Sequence, residues 1–362
     1  MYNSKRFRVL FPALAGLSVA GVQLLSGASV FTQANLTSDV PGLAANTDLN
    51  LKNPWGVSFG GASPFWVSNQ VSGNTTLYNG AGVPQKLIVS TPPGNPTGQA
   101  FVGGTGQFAE PNGKPALFTF ATLAGTIDAW NGGNGTTASV VATTSGAVYT
   151  GLTLANNGSA NFLYAANAVG GINVFDSSFK PVTLAGSFID PSLPKGYTPY
   201  DVQAVRGNLY VTYTQGLNTG LGLGIVSEFD ANGNFVKRLI SGGQLDAPWG
   251  ITLAPAGFGK FGGDLLVGNF GNGEINAFDP SNGSFLGTLA DAQGNPFVND
   301  SLWSLSFRTA SGFNPNSLYF TAGINGQKDG LFGSITPTPE PTTFAVAGLG
   351  LLALLALKRA RA

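Results

Sequence analysis

Residues 247–283 read "APWGITLAPAGFGKFGGDLLVGNFGNGEINAFDPSNG", and this stretch contains three short apolar segments separated by turn residues. The segments begin near Trp249, Leu265 and Ile275, and each has the length and composition of a β-strand. Glycine, proline, asparagine and aspartate fill the gaps, and Asn, Asp and Gly tolerate the positive φ angles of tight hairpins. The stretch therefore predicts one antiparallel unit of strand, turn, strand, turn, strand.

The same unit returns six times along the chain. Its third strand ends on an aromatic residue, and the residues that follow this aromatic are Asn79, Asn131, Asp176, Asp230, Asp279 and Gly333. The first strand of each unit begins near positions 53, 95, 149, 198, 247 and 301, so a second marker keeps the same order. The mean spacing is about 51 residues, and repeats of several short strands at such a period are typical of a β-propeller. We therefore predict an all-β, six-bladed β-propeller over residues 29–336.

One stretch, "FTQANLTSDV" at residues 31–40, precedes the first unit and belongs to none of the six. The sixth unit ends at "LFGSI", residues 331–335, and leaves no room for an outer strand of its own. Because a propeller cannot leave a long sheet edge exposed, we expect the N-terminal strand to pair with the last blade and close the ring.

The N-terminal segment has the organisation of an export signal. Lys5, Arg6 and Arg8 precede an apolar stretch, and "SGA" at residues 26–28 supplies the small residues of a cleavage site. Residues 1–28 are therefore predicted to be a secretory signal peptide.

The C-terminal segment, residues 337–362, carries a motif followed by an apolar run and a basic tail. The motif is Pro339-Glu340-Pro341, the run extends over residues 344–357, and the chain ends in "KRARA". As a helix, such a run covers roughly 21 Å, which is short of the ~30 Å hydrocarbon core of a bilayer. In this order, the three elements resemble the PEP-CTERM sorting signal of Gram-negative bacteria that make exopolysaccharide.

That resemblance implies a partner and a location. The partner is a membrane protease of the exosortase type, which recognises Pro-Glu-Pro and removes a short transmembrane helix. The expected path is export, tethering in the inner membrane through the C-terminal helix, and then release to the periplasm, the outer cell surface or the medium.

The body of the chain resembles two groups of propellers. The unit "APWGI…LLVGN…GEINAFDPSNG" is similar to the NHL repeat. The whole body, including "NPWGVSF", "LPKGYTPYDVQ" and "LYFTAG", resembles a family of secreted bacterial six-bladed propellers of uncharacterised function that often bear the same C-terminal signal. This resemblance implies fold and export, and it implies no activity.

Composition excludes several classes of function. The chain contains no histidine and no cysteine, so Ser-His-Asp or Cys-His catalysis, zinc sites with His or Cys ligands, and disulfides are excluded. Residues 29–336 contain 11 Lys and Arg against 16 Asp and Glu, a net charge of −5. Because phosphate binding depends on clustered basic residues, this charge argues against nucleic acid as a partner. We expect no cofactor.

Four large aromatics occupy equivalent positions near the start of the inner strands, namely Trp55, Tyr200, Trp249 and Trp303. Asn69, Asn167 and Asn269 end the second strands of three units and are expected nearby. Aromatic faces together with planar amides suit sugar recognition, so these residues form one candidate ligand site. The alternative is that the aromatic rings pack between the blades.

Asp201 is the single acid in a column that otherwise reads Gly56, Gly98, Gly151, Gly250 and Ser304. It is either hydrogen-bonded to backbone amides or, together with the three asparagines, part of a divalent-metal site like that of propeller lactonases. Such sites normally include a glutamate ligand, and Glu110, Glu228 and Glu274 do not obviously converge on the propeller axis.

Three functions remain open at this point. The first is a secreted, non-enzymatic propeller that binds or organises material at the cell surface, such as polysaccharide. The second is a metal-dependent hydrolase or lactonase that uses Asp201, and the third is a structural surface protein without a small ligand. The sequence names no ligand and no oligomeric state.

Overall fold

The computed structural model describes residues 30–103, 106–216 and 218–338. The predicted signal peptide, the Pro339-Glu340-Pro341 motif and the basic tail lie outside these residues. Within them, the chain forms 25 β-strands, two short 3₁₀ turns at Gly132–Asn134 and Gly259–Phe261, and one helical turn at Ile324–Gln327. None of these helical segments has the length and hydropathy to cross a membrane.

The strands form six separate sheets, as the repeat predicts, and all pairs within them are antiparallel except β1 with β2. Strands β1 (Val30–Ser38) and β2 (Asn46–Thr47) come first. Blade 1 contains β3 (Pro54–Ser58), β4 (Phe65–Asn69), β5 (Asn74–Tyr78) and β6 (Pro84–Ser90); blade 2 contains β7 (Pro96–Phe101), β8 (Phe118–Thr122), β9 (Thr126–Trp130) and β10 (Ser139–Thr143). Blade 3 contains β11 (Tyr149–Asn156), β12 (Asn161–Asn167), β13 (Gly171–Phe175) and β14 (Pro181–Val182).

Blade 4 contains β15 (Thr198–Val205), β16 (Asn208–Thr214), β17 (Ile225–Asp230) and β18 (Phe235–Ser241); blade 5 contains β19 (Pro248–Leu253), β20 (Leu265–Asn269), β21 (Ile275–Phe278) and β22 (Phe285–Thr288). Blade 6 contains β23 (Leu302–Phe307), β24 (Leu318–Ala322) and β25 (Leu331–Thr338). The prediction of a six-bladed propeller is therefore confirmed, and the repeat unit has four strands where the sequence indicated three.

Strand β1 closes the ring. It pairs antiparallel with β25 from Val30 opposite Thr338 to Ser38 opposite Leu331, so the predicted N-terminal strand is the fourth strand of blade 6. The two-residue strand β2 pairs parallel with its end and lies outside it. Strand β25 runs to Thr338, two residues beyond the predicted end of the propeller. Proline has no N–H to donate to a neighbouring strand. Pro337 is tolerated because β24 pairs with β25 only as far as Ile335, so no residue of β24 lies opposite Pro337 to accept a hydrogen bond.

The glycine column lets neighbouring inner strands approach closely. A Cβ atom on Gly98 would lie 2.2 Å from the backbone nitrogen of Leu152, and one on Gly56 would lie 2.6 Å from the carbonyl oxygen of Thr97. No side chain fits at such distances. The glycine column therefore narrows the axial channel. In the narrow channel, the aromatic side chains that precede the column in sequence contact one another across the propeller axis.

The hydrophobic core is divided among the interfaces between blades. One buried cluster joins Leu163 and Ala165 of blade 3 to Ile127 and Ala129 of blade 2, and equivalent clusters fill the other interfaces. Each blade is too thin to bury its own apolar faces and depends on its two neighbours. A seventh cluster lies on the axis and contains the four predicted aromatics.

Candidate binding site at the axial channel

The four predicted aromatics fill the axial channel just below the end where the inner strands begin, which we call the axial mouth. Trp249 and Trp303 are each 1% exposed, Trp55 is 6% exposed and Tyr200 is 9% exposed. Trp55 stacks on Trp303 with ring centroids 3.6 Å apart, and it meets Tyr200 of the opposite blade edge-on at 6.4 Å. The rings contact one another across the axis, so they form a plug rather than wedges within a single blade interface.

Hydrogen bonds fix two rings of this aromatic plug. Trp249 Nε1 donates to the Thr150 carbonyl of blade 3 at 3.0 Å, and Trp303 Nε1 donates to Asn53 Oδ1 at 2.9 Å. Trp55 Nε1 is buried and has no hydrogen-bond partner in the described part of the chain. Because all four rings are buried, they offer little area to a ligand. A role of the four rings in stacking sugars stays a prediction.

The three predicted asparagines brace their own blades. Each lies at the end of a second strand and is buried. Their Nδ2 groups donate as follows: Asn69 to Thr76 Oγ1 at 2.9 Å, Asn167 to Asn173 Oδ1 at 3.0 Å, and Asn269 to the Gln244 carbonyl at 2.7 Å. These bonds tie the end of each second strand to neighbouring residues, and none of them runs to the carboxylate of Asp201.

Asp201 follows Tyr200 of the plug in the chain, and its side chain is fully buried. Its side chain lies against Gly151 of blade 3, where a Cβ atom would be 2.1 Å from Oδ1. Gln203 Nε2 donates to Asp201 Oδ2 at 3.0 Å, and Oδ1 has no partner among the described residues. Burial raises the pKa of Asp201 well above its usual range, and the hydrogen bond from Gln203 offsets only part of this rise. Burial therefore disfavours the charged form of this carboxyl group.

This geometry gives no support to the predicted metal site. The three glutamates are engaged elsewhere: Glu110 with Asn131, Glu228 with Asn208, and Glu274 with Asn272. Within residues 30–338, apart from the three residues that are not described, no group of three or more acidic side chains could hold a metal ion. The lactonase alternative stays a prediction.

A feature that the sequence analysis missed is a chain of four amide side chains at the axial mouth. Asn53 Nδ2 donates to Gln70 Oε1 at 2.9 Å and to Gln327 Oε1 at 3.3 Å. Gln70 Nε2 donates to Asn95 Oδ1 at 2.9 Å. Asn95 is exposed, and Gln70 and Gln327 are half-buried. We call these four residues the amide rim; through Trp303, the rim is bonded directly to the aromatic plug.

The local sequence places two members of the rim. Asn53 and Asn95 each precede the proline that begins an inner strand, and they adopt φ angles of 45° and 57°. Asparagine is among the non-glycine residues that adopt this left-handed region most readily. The repeated Asn-Pro pair could therefore have predicted the positions of Asn53 and Asn95 at the axial mouth. In the sequence analysis it was used only to locate the start of each inner strand.

The surroundings of the rim include an apolar surface and one cluster of paired charges. Phe270 is half-buried and lies 4.6 Å from Trp303, centroid to centroid, and Leu123 packs against the same cluster. The nearby Lys52 ammonium is paired with Asp39 at 2.6 Å and with Asp329 at 3.5 Å. The axial mouth thus combines amide donors and acceptors with an aromatic surface.

Comparison with known proteins identifies relatives without an assigned function. An uncharacterised protein of Acanthamoeba polyphaga mimivirus is 34% identical over 327 residues, which cover 83% of this chain and 78% of the relative. A second uncharacterised protein of the same virus is 32% identical over 320 residues, covering 81% and 82%. No protein-family model matches the chain.

Among solved structures, a structural-genomics protein of unknown function from Bacteroides thetaiotaomicron VPI-5482 superposes with a TM-score of 0.57. The match covers 86% of this chain and 76% of that protein at 11% identity. At this identity, the likeness shows the fold alone.

Proposed function

The chain belongs to the family of these two mimivirus proteins, and we propose that it is a non-enzymatic propeller that binds a neutral, polyhydroxylated ligand such as polysaccharide at the axial mouth. The observation that carries this proposal is the amide rim beside Phe270. Amides both donate and accept hydrogen bonds without carrying charge, which matches sugar hydroxyls, and three of the four rim amides are at least partly exposed. A nearby ring offers an apolar face to a sugar.

The position of Asp201 favours binding over catalysis. An acid or base must reach the proton that it transfers, within about 3 Å or through one water. Asp201 is fully buried, and Gln203 donates a hydrogen bond to one of its oxygens. A purely structural surface protein remains the competing function, and it differs in requiring no contact of the rim with a ligand.

The test is the removal of individual rim amides. Gln70→Ala and Asn95→Ala each remove side chains that no core contact requires, so the fold is expected to persist. If each amide contributes about 1 kcal/mol of hydrogen bonding to the ligand, each variant weakens binding about fivefold. This change is measured by affinity electrophoresis through gels that contain the exopolysaccharide of the organism that produces the protein.

Matched controls lie away from the axial mouth. Gln85→Ala on the outer strand of blade 1 and Asn156→Ala at the opposite face remove the same groups from exposed positions. We expect both controls to migrate like the parent. If all four variants migrate like the parent, the rim does not bind the polysaccharide, and a purely structural function is favoured.

We also propose export and sorting, on the sequence resemblance alone. Residues 1–28 act as a signal peptide, and residues 337–362 act as the signal for an exosortase-type protease, which releases the propeller from the inner membrane. Glu340→Ala is expected to leave the full-length protein in the membrane fraction, whereas Thr342→Ala is processed normally. Mass spectrometry that finds residues 344–361 still attached to the released wild-type protein would contradict this proposal.

A further inference from the structure

Blade 3 has an incomplete outer strand. Its fourth strand β14 contains two residues, whereas the fourth strands of the other blades contain four to nine. Strand β14 pairs with β13 only at Val174 opposite Val182 and at Phe175 opposite Pro181. The first three residues of β13, Gly171 to Asn173, therefore have no strand on their outer side.

The equivalent position is occupied in each of the other five blades. The outer-strand partners there are Val89 for Thr75, Ala142 for Ile127, Ile240 for Val226, Leu289 for Ile275 and Thr37 for Phe332. In blade 3 this position is Ile172, which has no outer-strand partner among the described residues. Blade 3 is thus the one blade in the described part of the chain in which this position lacks an outer-strand partner.

The backbone groups of Ile172 point toward this open side. Asp176 donates its N–H to the Lys180 carbonyl at 2.9 Å, so the groups of Asp176 face the outer strand. In an antiparallel sheet the direction alternates along the strand, so Val174 and Ile172 face the same way. The N–H and the C=O of Ile172 therefore form an unpaired donor and acceptor at the sheet edge.

The chain leaves the edge because the following segment is held by blade 4. Gly186 donates its N–H to the Asn232 carbonyl at 2.8 Å, and Phe188 donates to the Gly233 carbonyl at 3.0 Å. A Cβ atom on Gly186 would lie 2.1 Å from Gly233, so only glycine permits this approach. Residues 183–188 therefore cannot continue β14 along the edge of β13.

A cavity of about 380 Å³ separates this segment from the open edge. Its apolar lining includes Ile172, Val182, Leu184 and Phe188, and none of its ten lining residues is charged. This volume falls within the range of ligand pockets in proteins. An uncharged crevice along one side of an unpaired strand has the shape and the backbone groups to accept another strand.

We propose that this crevice binds an extended segment of a partner polypeptide, which adds a strand to blade 3 by pairing with Ile172. The segment is uncharged over about three residues and directs one apolar side chain into the cavity between Ile172 and Phe188. Backbone pairing supplies affinity, and the cavity supplies selectivity for that side chain. This inference is independent of the ligand proposed for the axial mouth.

Amide hydrogen exchange of the free protein tests the open edge. The Ile172 amide is expected to exchange at least a hundredfold faster than the amide of Val226, which is its equivalent in the completed blade 4. If the Ile172 amide is as protected as that of Val226, the edge is already covered and the proposal is wrong.

A synthetic peptide with the sequence of residues 86–91, KLIVST, tests strand addition directly. This segment includes Val89, which pairs with the equivalent position in blade 1. Binding should protect the Ile172 amide and shift NMR resonances of β13. The same peptide with an N-methyl group at the position of Val89 lacks the donor for the Ile172 carbonyl, and its affinity should fall at least tenfold.

Variants of the crevice provide the second arm. Thr183→Lys and Ser187→Lys change exposed lining residues and place a charge in the crevice, so each should weaken peptide binding at least tenfold without altering stability. Thr143→Lys on the outer strand of blade 2 is the matched control and should bind like the parent. Unchanged binding by both crevice variants, or resonance shifts confined to blade 1, would overturn the proposal. A concentration-dependent dimer that Thr183→Lys abolishes would identify a second copy as the occupant and would also overturn it.

Discussion

Replacing Asp128 with asparagine is expected to stabilise the propeller at neutral pH and to have little effect near pH 4. Asp128 lies in β9, its side chain is buried on the face of blade 2 that packs against blade 1, and Thr126 Oγ1 donates to its Oδ1 at 3.0 Å. Its other oxygen, Oδ2, has no partner in the described part of the chain. Burial raises the pKa of Asp128 to about 8, against a smaller opposing effect of the Thr126 hydrogen bond.

The sign follows from proton linkage. The folded protein holds the proton up to about pH 8, whereas the unfolded chain releases it near pH 4. The unfolded state is therefore favoured as pH rises between these values, and at pH 7 the difference is about 4 kcal/mol at 1.36 kcal/mol per pH unit. Below pH 4 both states are protonated and the penalty disappears. Asparagine has nearly the same shape and no such penalty at any pH.

Urea denaturation of the parent and of Asp128→Asn at pH 4, 5.5 and 7 measures this difference. The gain in free energy of unfolding should grow from near zero to about 4 kcal/mol over this range. Asp291→Asn is a control of opposite sign, because hydrogen bonds from Asn295 lower the pKa of that exposed carboxyl and its contribution is lost as pH falls. A gain for Asp128→Asn that is the same at all three pH values would refute the linkage argument.

Two further changes test the architecture. Trp249→Ala removes a ring of the aromatic plug and should cost about 3 to 5 kcal/mol in the free energy of unfolding measured with urea. Trp249→Phe keeps a ring but leaves the Thr150 carbonyl without its donor, so it should cost about 1 to 3 kcal/mol; a loss below these ranges for both variants would show that the plug is not well packed. Deletion of residues 31–40 removes most of β1 and exposes the edge of β25. Calorimetry should then show aggregation or the loss of a single cooperative transition. A deletion variant that melts like the parent would contradict the closure of the ring by β1.

The repeat made the fold predictable. The start of the inner strand recurs in all six blades, and the aromatic before the hairpin corner recurs in blades 1 to 5, because these blades solve the same packing problem. In blade 6 the aromatic marker at Phe332 was wrong: Leu318 pairs with Ile335, so Ile335 occupies the position before the corner. The closing strand followed from counting, since the sixth unit had no outer strand and residues 31–40 had no blade. The fourth strands of blades 1 to 5 were missed because segments such as 235–241 are polar on one side and carry no shared motif.

The candidate site was predictable in part. The sequence placed Trp55 and Trp303 at equivalent positions, but their stacking depends on the width of the channel, which the glycine column sets through contacts between blades. The amide rim could not be assembled from the sequence, because Gln327 and Gln70 belong to different blades and share no spacing. The open edge of blade 3 was equally hidden, since it arises from the attachment of residues 183–188 to another blade.

The pairing of β1 with β25 constrains the order in which the protein can be made. Thr338 Oγ1 donates to the Val30 carbonyl, and these residues are 308 positions apart. At a synthesis rate of about 5 to 20 residues per second, β1 waits for about 15 to 60 s before its partner exists. During that time it is a free strand beside growing, incomplete sheets. Its polar residues, including Thr32, Gln33 and Asn35, reduce the hydrophobicity that drives premature association. The strand that completes the ring thus waits for its β25 partner until almost all of the propeller has been synthesised.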